Sequence, residues 1–327
     1  MAVLDAYDAL LLDLDGTVWN GDTAIPTAVD FINSCGLPRA YVTNNASRSA
    51  QAVADKLARM GINATDNEVV TSAQAIVSEA QNSLRGGDTV LVVGADALRE
   101  LVKEAGFTVT ASAEDEPTAV IQGFDPSVGW EELSEAAMAI RGGARYFASN
   151  LDASLPTDRG LAVGNGALVQ AVVHSTGTDV VSTGKPEPTL YTAAAGRLGA
   201  ERSLAVGDRL DTDIQGGQAA AMDTAVVLTG VSGPMVLIEA PAEQRPTYIA
   251  STMRDLAEDA ERLLPSAQGG FTARADGLDL LLENGDQDAT PVEALRTVLE
   301  VVWAMPEPPR YIHPRSEVAE RAVEQWW

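Results

Sequence analysis

Short apolar runs that end in polar residues alternate with amphipathic segments along most of the chain. Residues 9–12 form the first run and lead into Asp13, residues 26–34 have helical periodicity, and the next run ends at Thr43. Apolar runs of this length are typical of buried strands, and strands that alternate with helices form parallel sheets. The pattern predicts an α/β fold with a doubly wound parallel-sheet core.

A second α/β series begins after the polar turn at 85–88. Its apolar runs are 89–93, 119–122 and 146–148, and its helical patterns are 96–104, 130–140 and 167–174. The first pattern then resumes at Val180 and continues through 204–207 and 224–228. We therefore expect a core of residues 1–80 and 179–252 that carries an inserted α/β domain over 81–178.

The remaining residues, 253–327, form a small α+β extension in this interpretation. An amphipathic helix is expected from about 251 to 264, followed by a hairpin whose strands are 271–274 and 278–283. Thr290 and Pro291 have the residue types of a helix start, and this helix is expected to reach about Ala304. A last helical stretch ends in Trp326 and Trp327, so the extension is too apolar to stay undocked in water.

Composition narrows the classes of partner. The 327 residues include 47 acidic and 22 basic side chains and have a formal net charge of −25, which disfavours nucleic acid and anionic membrane surfaces. No apolar run approaches the roughly 20 residues that cross a bilayer. The single cysteine, Cys35, and the acidic start of the chain favour a reducing, cytoplasmic location.

Candidate chemistry begins at the end of the first strand. Asp13 and Asp15 are two residues apart, so their side chains start on the same face. Paired carboxylates at this edge suit Mg²⁺, and one of them can attack a phosphoryl group while the other carries a proton. Taken alone, the Asp-Leu-Asp-Gly-Thr sequence fits an ordinary Asp-Gly turn equally well.

Later polar clusters favour the catalytic interpretation. Thr43 ends the next strand and is followed by Asn44, a donor suited to phosphate oxygens. Lys185 lies between Gly184 and a proline and is expected to act as a point charge on phosphate, whereas Lys56 and Lys103 lie on amphipathic helices and are expected to be solvated. The stretch 207–213 adds Asp208, Asp211 and Asp213, of which Asp211 suits a plain turn or cap.

In order, Asp13–Thr17, Thr43–Asn45, Lys185–Pro188 and Gly207–Asp213 resemble the four signature motifs of the haloacid dehalogenase-like superfamily. The resemblance spans residues 8 to about 250. The insertion between the second and third motifs is similar to the type IIA cap of the nitrophenylphosphatase-like phosphatases. This resemblance implies a cap domain over 81–178.

The resemblance also implies roles for individual residues. Asp13 would be the nucleophile that forms an aspartyl-phosphate, and Asp15 the general acid and then the general base. Thr43 and Asn44 would bind the phosphoryl oxygens, and Lys185 would neutralise the charge that develops on them.

The implied cofactor is Mg²⁺. Its ligands would be Asp13, the backbone carbonyl of Asp15, and Asp208, while Asp213 would bind the ion or orient its ligands. In the cap, the loop with Asn150 and Asp152 is similar to substrate-specificity loops of the subfamily. These enzymes often have proline where this chain has Leu151, which changes the expected shape of the loop.

The extension is similar to part of an acetyltransferase-type domain, and a group of actinobacterial glycerol-3-phosphate phosphatases carries such an extension. The chain has no glycine-rich pyrophosphate loop there. We therefore expect a structural role or a homo-oligomer interface through the cap or the extension. Trp303, Trp326 and Trp327 are expected to pack rather than stack on a ligand. His174 and His313 are expected to pack or to lie on the surface, and Cys35 to be a small, semi-buried residue.

The sequence thus predicts an Mg²⁺-dependent phosphatase for a small-molecule phosphate ester, with glycerol 3-phosphate as the first candidate from the resemblance. Phosphoglycolate, sugar phosphates and pyridoxal phosphate stay open as substrates. A phosphotransferase or mutase could use the same aspartyl-phosphate. A non-enzymatic phospho-Asp receiver fits poorly, because a receiver has no use for an inserted domain.

Overall fold

The structure of the protein, a computed structural model, describes residues 1–157 and 159–327. The strands are β1 (Ala9–Leu12), β2 (Trp19–Asn20), β3 (Thr23–Ala24), β4 (Arg39–Thr43), β5 (Val69–Thr71), β6 (Thr89–Val93), β7 (Thr108–Thr110), β8 (Ala119–Gln122), β9 (Arg145–Ala148), β10 (Ser154–Thr157), β11 (Gly160–Val163), β12 (Val181–Ser182), β13 (Ser203–Gly207), β14 (Asp223–Val227), β15 (Tyr248–Ala250), β16 (Phe271–Asp276), β17 (Asp279–Asn284) and β18 (Ile312–Pro314). The α-helices are α1 (Pro26–Ser34), α2 (Ala50–Arg59), α3 (Ser72–Ser83), α4 (Asp96–Glu104), α5 (Trp130–Arg141), α6 (Asn165–Thr176), α7 (Thr189–Leu198), α8 (Gln215–Ala219), α9 (Pro234–Ile238), α10 (Pro291–Val302) and α11 (Glu317–Glu324). This succession confirms the predicted α/β class.

The chain divides into two compact units, of which the first comprises Met1–Arg39 and Leu198–Trp327. Its parallel strands lie in the order β15-β14-β13-β1. Every residue of β1 and of β13 is buried, as expected for central strands of a parallel sheet. Leu12 pairs with Val206, so these two strands end side by side.

The C-terminal extension belongs to this first unit and shares its apolar core. The hairpin β16-β17 is antiparallel, and β18 pairs in parallel with β17. One buried cluster joins Val226 and Ile249 of the sheet to α10, α11 and the hairpin. Trp326 is 5% exposed and packs as predicted, whereas Trp327 is 86% exposed and does not.

The prediction of an amphipathic helix at about 251–264 is wrong. The segment forms two short 3₁₀ turns, Met253–Ala257 and Ala260–Arg262. The Asp255 carboxylate accepts from the backbone N–H groups of Ser251 and Thr252, and the carbonyl of Glu258 accepts from the backbone N–H of Val3. These bonds fix an irregular path, so the apolar periodicity does not become a continuous helix.

The second unit, Ala40–Arg197, contains a five-stranded parallel sheet in the order β12-β9-β8-β6-β7. Successive residues of β6 and β8 point into two different apolar clusters, one with α3 and α4 and the other with α5 and α6. Helices therefore cover both faces of this sheet. The strand at Val181–Ser182 pairs with β9 rather than resuming the first pattern. The division into core, cap and extension stays a prediction.

Within the same unit, β4 and β5 pair in parallel, and Thr43 lies opposite Thr71. Among the described residues, no helix combines the length and apolar character needed to cross a membrane.

Candidate active site

An acidic centre lies where β1 and β13 end. Asp13 follows β1 directly and donates its backbone N–H to the carbonyl of Val206 at 2.9 Å. Asp208 follows β13, and Asp213 lies in the short π-helix Leu210–Ile214. All three side chains are buried, and one carboxylate oxygen from each lies within 4.8 Å of the others. The first and fourth motifs thus converge within the first unit.

Two glycines within the sequence motifs allow the backbone to approach these carboxylates closely. Gly16 has a φ of +88°, and a Cβ there would lie 2.4 Å from Oδ2 of Asp208. A Cβ at Gly207 would lie 2.3 Å from the Cβ of Asp213. A larger residue at either position would displace an acidic side chain, so these glycines shape the acidic centre.

The donor set fits a hard divalent cation. Three carboxylates that converge in a buried place repel one another, and desolvation makes an unneutralised group of this kind costly. Oxygen-only ligands are those that Mg²⁺ and Ca²⁺ prefer. Asp13, Asp208 and Asp213 therefore have the chemistry and the spacing to hold such an ion.

Asp15 lies outside this carboxylate group. Its side chain is exposed, and its Oδ1 accepts a hydrogen bond of 2.8 Å from Nε1 of Trp19. The indole orients the carboxylate without burying it. An exposed, oriented carboxyl group can exchange protons with substrate and water, whereas the three buried carboxylates suit a cation.

The second unit holds the predicted phosphate-binding residues. Thr43 and Lys185 are each 3% exposed. Nζ of Lys185 donates to the carbonyl of Val42 at 3.0 Å and lies 5.9 Å from the centre of the Tyr191 ring. The Thr43 hydroxyl accepts from the backbone N–H of Asn45 at 3.1 Å. The Thr43 hydroxyl, at the end of β4, and the buried Lys185 ammonium group therefore belong to the same unit.

The Asn44 side chain connects the loops of Lys185 and Asp152. Its Oδ1 accepts from the backbone N–H of Lys185 at 2.7 Å. Its Nδ2 donates to the carbonyl of Lys185 and to both carboxylate oxygens of Asp152, each at 3.1 Å. The side-chain amide is therefore used within the protein. The predicted contact of Asn44 with phosphate stays a prediction.

Asn150 is also committed to the protein. It is 4% exposed, its Nδ2 donates to the carbonyl of Asn44 at 2.7 Å, and its Oδ1 accepts from the backbone N–H of Asp152 at 3.2 Å. Its own carbonyl accepts from Nδ2 of Asn165 at 2.8 Å. Leu151, between the two predicted specificity residues, is 43% exposed.

Sequence reasoning missed a loop that contacts the acidic centre. Residues 229–232 follow β14, and their hydrogen bonds reach Gly16 and Asp208. The available signal was a Thr-Gly-Val-Ser sequence at the end of a strand that neighbours β13. Loops at the carboxyl ends of parallel strands are where ligand sites form in such sheets.

Several other residues that the sequence analysis considered lie outside the acidic centre. Lys56, expected to be solvated, is buried at 8% exposure because α2 turns that position inward. Asp211 pairs with Arg209 through two hydrogen bonds, of 3.1 and 2.8 Å, and its side chain is 58% exposed. His174 is exposed, His313 lies 3.3 Å from Asp279, and Cys35 is half-buried at the end of α1.

Comparison with known proteins places these features in a family. The family model described as haloacid dehalogenase-like hydrolase matches residues 10–108, and a second, HAD-hydrolase-like model matches residues 182–256. A D-glycerol 3-phosphate phosphatase of Mycobacterium tuberculosis is 39% identical, over 99% of this chain and 95% of that protein.

Solved structures give the same relationship. The crystal structure of glycerol phosphate phosphatase from Mycobacterium tuberculosis in complex with magnesium has a TM-score of 0.94 and 40% identity, and covers 100% of this chain and 98% of that chain. A double mutant thermostable NPPase from Geobacillus stearothermophilus has a TM-score of 0.70 and 35% identity, and covers 78% of this chain and 98% of that chain. The second match leaves out about a fifth of this chain.

Proposed function

The chain belongs to the haloacid dehalogenase-like hydrolases, and we propose that it is an Mg²⁺-dependent phosphatase that hydrolyses glycerol 3-phosphate or a close relative of it. The observation that carries this proposal is the buried group formed by Asp13, Asp208 and Asp213. Membership of this family supports Asp13 as the nucleophile.

In the proposed reaction, a carboxylate oxygen of Asp13 bonds to phosphorus as the ester P–O bond breaks, which gives an aspartyl-phosphate. Asp15 protonates the departing alkoxide and then takes a proton from the water that hydrolyses the acyl phosphate. The exposed position of Asp15 and its hydrogen bond from Trp19 support this role. Enzymes that split one difficult displacement into two easier ones work in this way.

Mg²⁺ would be held by Asp13, Asp208 and the backbone carbonyl of Asp15, and it supplies positive charge that offsets the phosphoryl and carboxylate charges. Asp213 would bind the ion or orient the ligand set from the π-helix. The convergence of the three carboxylates supports this assignment.

We assign phosphoryl binding to Thr43 and Lys185. The burial of the Lys185 ammonium group supports the assignment, because a cation counts for more against a developing charge in a site with little water. Since the Asn44 side chain is used on Lys185 and Asp152, its proposed contact with phosphate is through the backbone N–H. Asn44 would thus also hold the lysine loop in place.

Substrate choice belongs to the proposed cap loop. Asn150 and Asp152 would act on specificity by fixing the backbone around the exposed Leu151, rather than by touching substrate themselves. The relative that acts on D-glycerol 3-phosphate supports a small polyol phosphate as the substrate. We further propose that the protein is cytoplasmic and that its cap or extension supports a homo-oligomer.

The test is phosphate release from a panel of phosphomonoesters with and without Mg²⁺. Glycerol 3-phosphate should give the highest kcat/KM, and Asp13→Asn should reduce turnover by about a thousandfold or more, because the amide keeps the shape but loses the attacking charge. Asp211→Asn is the matched control, since that exposed carboxylate lies outside the acidic group.

Two results would contradict the proposal. Near-normal turnover by Asp13→Asn would show that Asp13 is not the nucleophile. Transfer of most of the phosphoryl group to an added alcohol such as ethanol, rather than to water, would make the protein a phosphotransferase.

A further inference from the structure

The loop Thr229–Ser232 lies at the carboxyl end of β14. Because β14 pairs in parallel with β13, at Gly207↔Val226, the loop leaves the sheet beside the start of the Asp208 segment. Although Gly230 and Val231 are exposed, the polar groups of the loop are directed inward. None of the four sequence motifs includes these residues.

The loop makes four hydrogen bonds to the segments that carry the acidic residues. The backbone N–H of Val231 donates to Oδ2 of Asp208 at 2.6 Å, and that of Ser232 donates to the Asp208 carbonyl at 3.1 Å. The Ser232 hydroxyl accepts from the backbone N–H of Leu210 at 3.1 Å. The Thr229 hydroxyl donates to the carbonyl of Gly16 at 2.7 Å.

The position of Gly230 shows how closely the loop fits its neighbour. A Cβ at this position would lie 2.0 Å from Oδ2 and 2.5 Å from Cγ of Asp208. At Gly233, three residues later, a Cβ would meet nothing within 4 Å. Of these two glycines, only Gly230 therefore brings the backbone against the Asp208 carboxylate.

We infer that the Thr229–Ser232 loop positions the cation ligands: it sets the rotamer of Asp208 and holds the Gly16 carbonyl, next to Asp15, in place. This inference rests on the proposed metal site. Asp208 must keep its orientation against repulsion from two neighbouring carboxylates, and an N–H donor on its Oδ2 opposes that repulsion. Groups that orient metal ligands typically change metal affinity about 10- to 100-fold when removed.

The experiment uses the full chain and titrates Mg²⁺ by calorimetry and by the shift in Tm. Thr229→Val keeps the shape but removes the hydroxyl, Thr229→Ser restores it, Gly230→Ala displaces the carboxylate, and Gly233→Ala is the matched control. The Tm in EDTA is measured for each variant, because that value reports the fold without the ion.

We expect Thr229→Val and Gly230→Ala to weaken Mg²⁺ binding about tenfold or more. Thr229→Ser and Gly233→Ala should bind Mg²⁺ within about twofold of the parent protein. Should Gly230→Ala fail to fold, Thr229→Val and Thr229→Ser decide the matter by themselves. Unchanged Mg²⁺ affinity in Thr229→Val, whatever its Tm in EDTA, would overturn the inference. A parent protein that shows no Mg²⁺ response would instead overturn the metal site itself, and the inference with it.

Discussion

The first unit buries charged side chains both in the acidic centre and in the extension, and the two regions differ in how the buried charge is balanced. In the acidic centre, Asp13, Asp208 and Asp213 place three carboxylates within 4.8 Å of one another. In the extension, Arg296 is 5% exposed, and its guanidinium donates twice to the carbonyl of Ile249, at 2.9 and 2.5 Å. The acidic centre concentrates three like charges that a cation can neutralise, whereas Arg296 is a single charge that donates to a backbone carbonyl.

The difference suggests that the acidic centre serves function and that Arg296 serves the fold. Burial lowers the pKa of Arg296, while the charges of Asp255 and Glu293 oppose that effect. Its hydrogen bonds tie α10 to β15, and the same helix shares an apolar cluster with the sheet. Arg296 therefore anchors the extension, and substitutions in the two regions should have opposite effects on stability in the absence of metal.

The largest effect on stability is expected in the extension. Trp326→Ala should lower the free energy of unfolding by about 3–5 kcal/mol, because it empties a packed site. Trp327→Ala is the matched control and should change it by less than about 0.5 kcal/mol, because that side chain is 86% exposed. Urea unfolding of both variants measures the difference. Equal losses would mean that Trp327 is covered in solution, as at an interface between copies.

A smaller effect of opposite sign is expected in the acidic centre. Asp208→Asn removes one of three like charges, while the amide oxygen can still accept from Val231. In EDTA the variant should be more stable by about 1–3 kcal/mol, the size of a repulsion across about 5 Å at intermediate dielectric. In saturating Mg²⁺ it should lose the stabilisation that metal binding gives the parent protein.

Asp211→Asn, in the same loop, controls for any effect of replacing a carboxylate there. Thermal melts of the three proteins with EDTA and across an Mg²⁺ series provide the measurement. If Asp208→Asn were destabilised in EDTA and kept the full response to Mg²⁺, Asp208 would be a structural acceptor rather than a metal ligand.

Much of the fold could be predicted because its signals are local. The apolar run before Asp13 and the Thr290-Pro291-x-Glu293 sequence each specify an element through neighbouring residues, and the latter forms the expected capping box around α10. The helix predicted at 251–264 was wrong because the signal that decides this segment is not local. Its path depends on a hydrogen bond between Glu258 and Val3, which are 255 positions apart in the chain.

The candidate site shows the same limit. Asp13 and Asp208 could be identified because they are carboxylates that directly follow strands, and Asp213 because it follows Asp208 in the same motif. Thr229 and Gly230 could not be identified in this way, because a threonine and a glycine are common in loops. Their role is visible only from their contacts with Gly16 and Asp208 in the structure. Asn44 was identified, but its amide serves the Lys185 and Asp152 loops, which sequence spacing could not show.

The smallest predicted effect tests the anchor itself. Arg296→Met keeps the aliphatic volume but removes the hydrogen bonds to Ile249, which should cost about 1.5–3 kcal/mol. Part of this is offset because the desolvation of a buried charge disappears as well, so a net loss of about 1 kcal/mol is expected. Arg262→Met is the control, since that side chain is 63% exposed and pairs with Glu258 on the surface. Urea unfolding gives the stability, and Mg²⁺ titration should be unchanged in both variants. A weaker Mg²⁺ response in Arg296→Met alone would show that the extension reaches the acidic centre energetically, and the separation between the two regions would then fail.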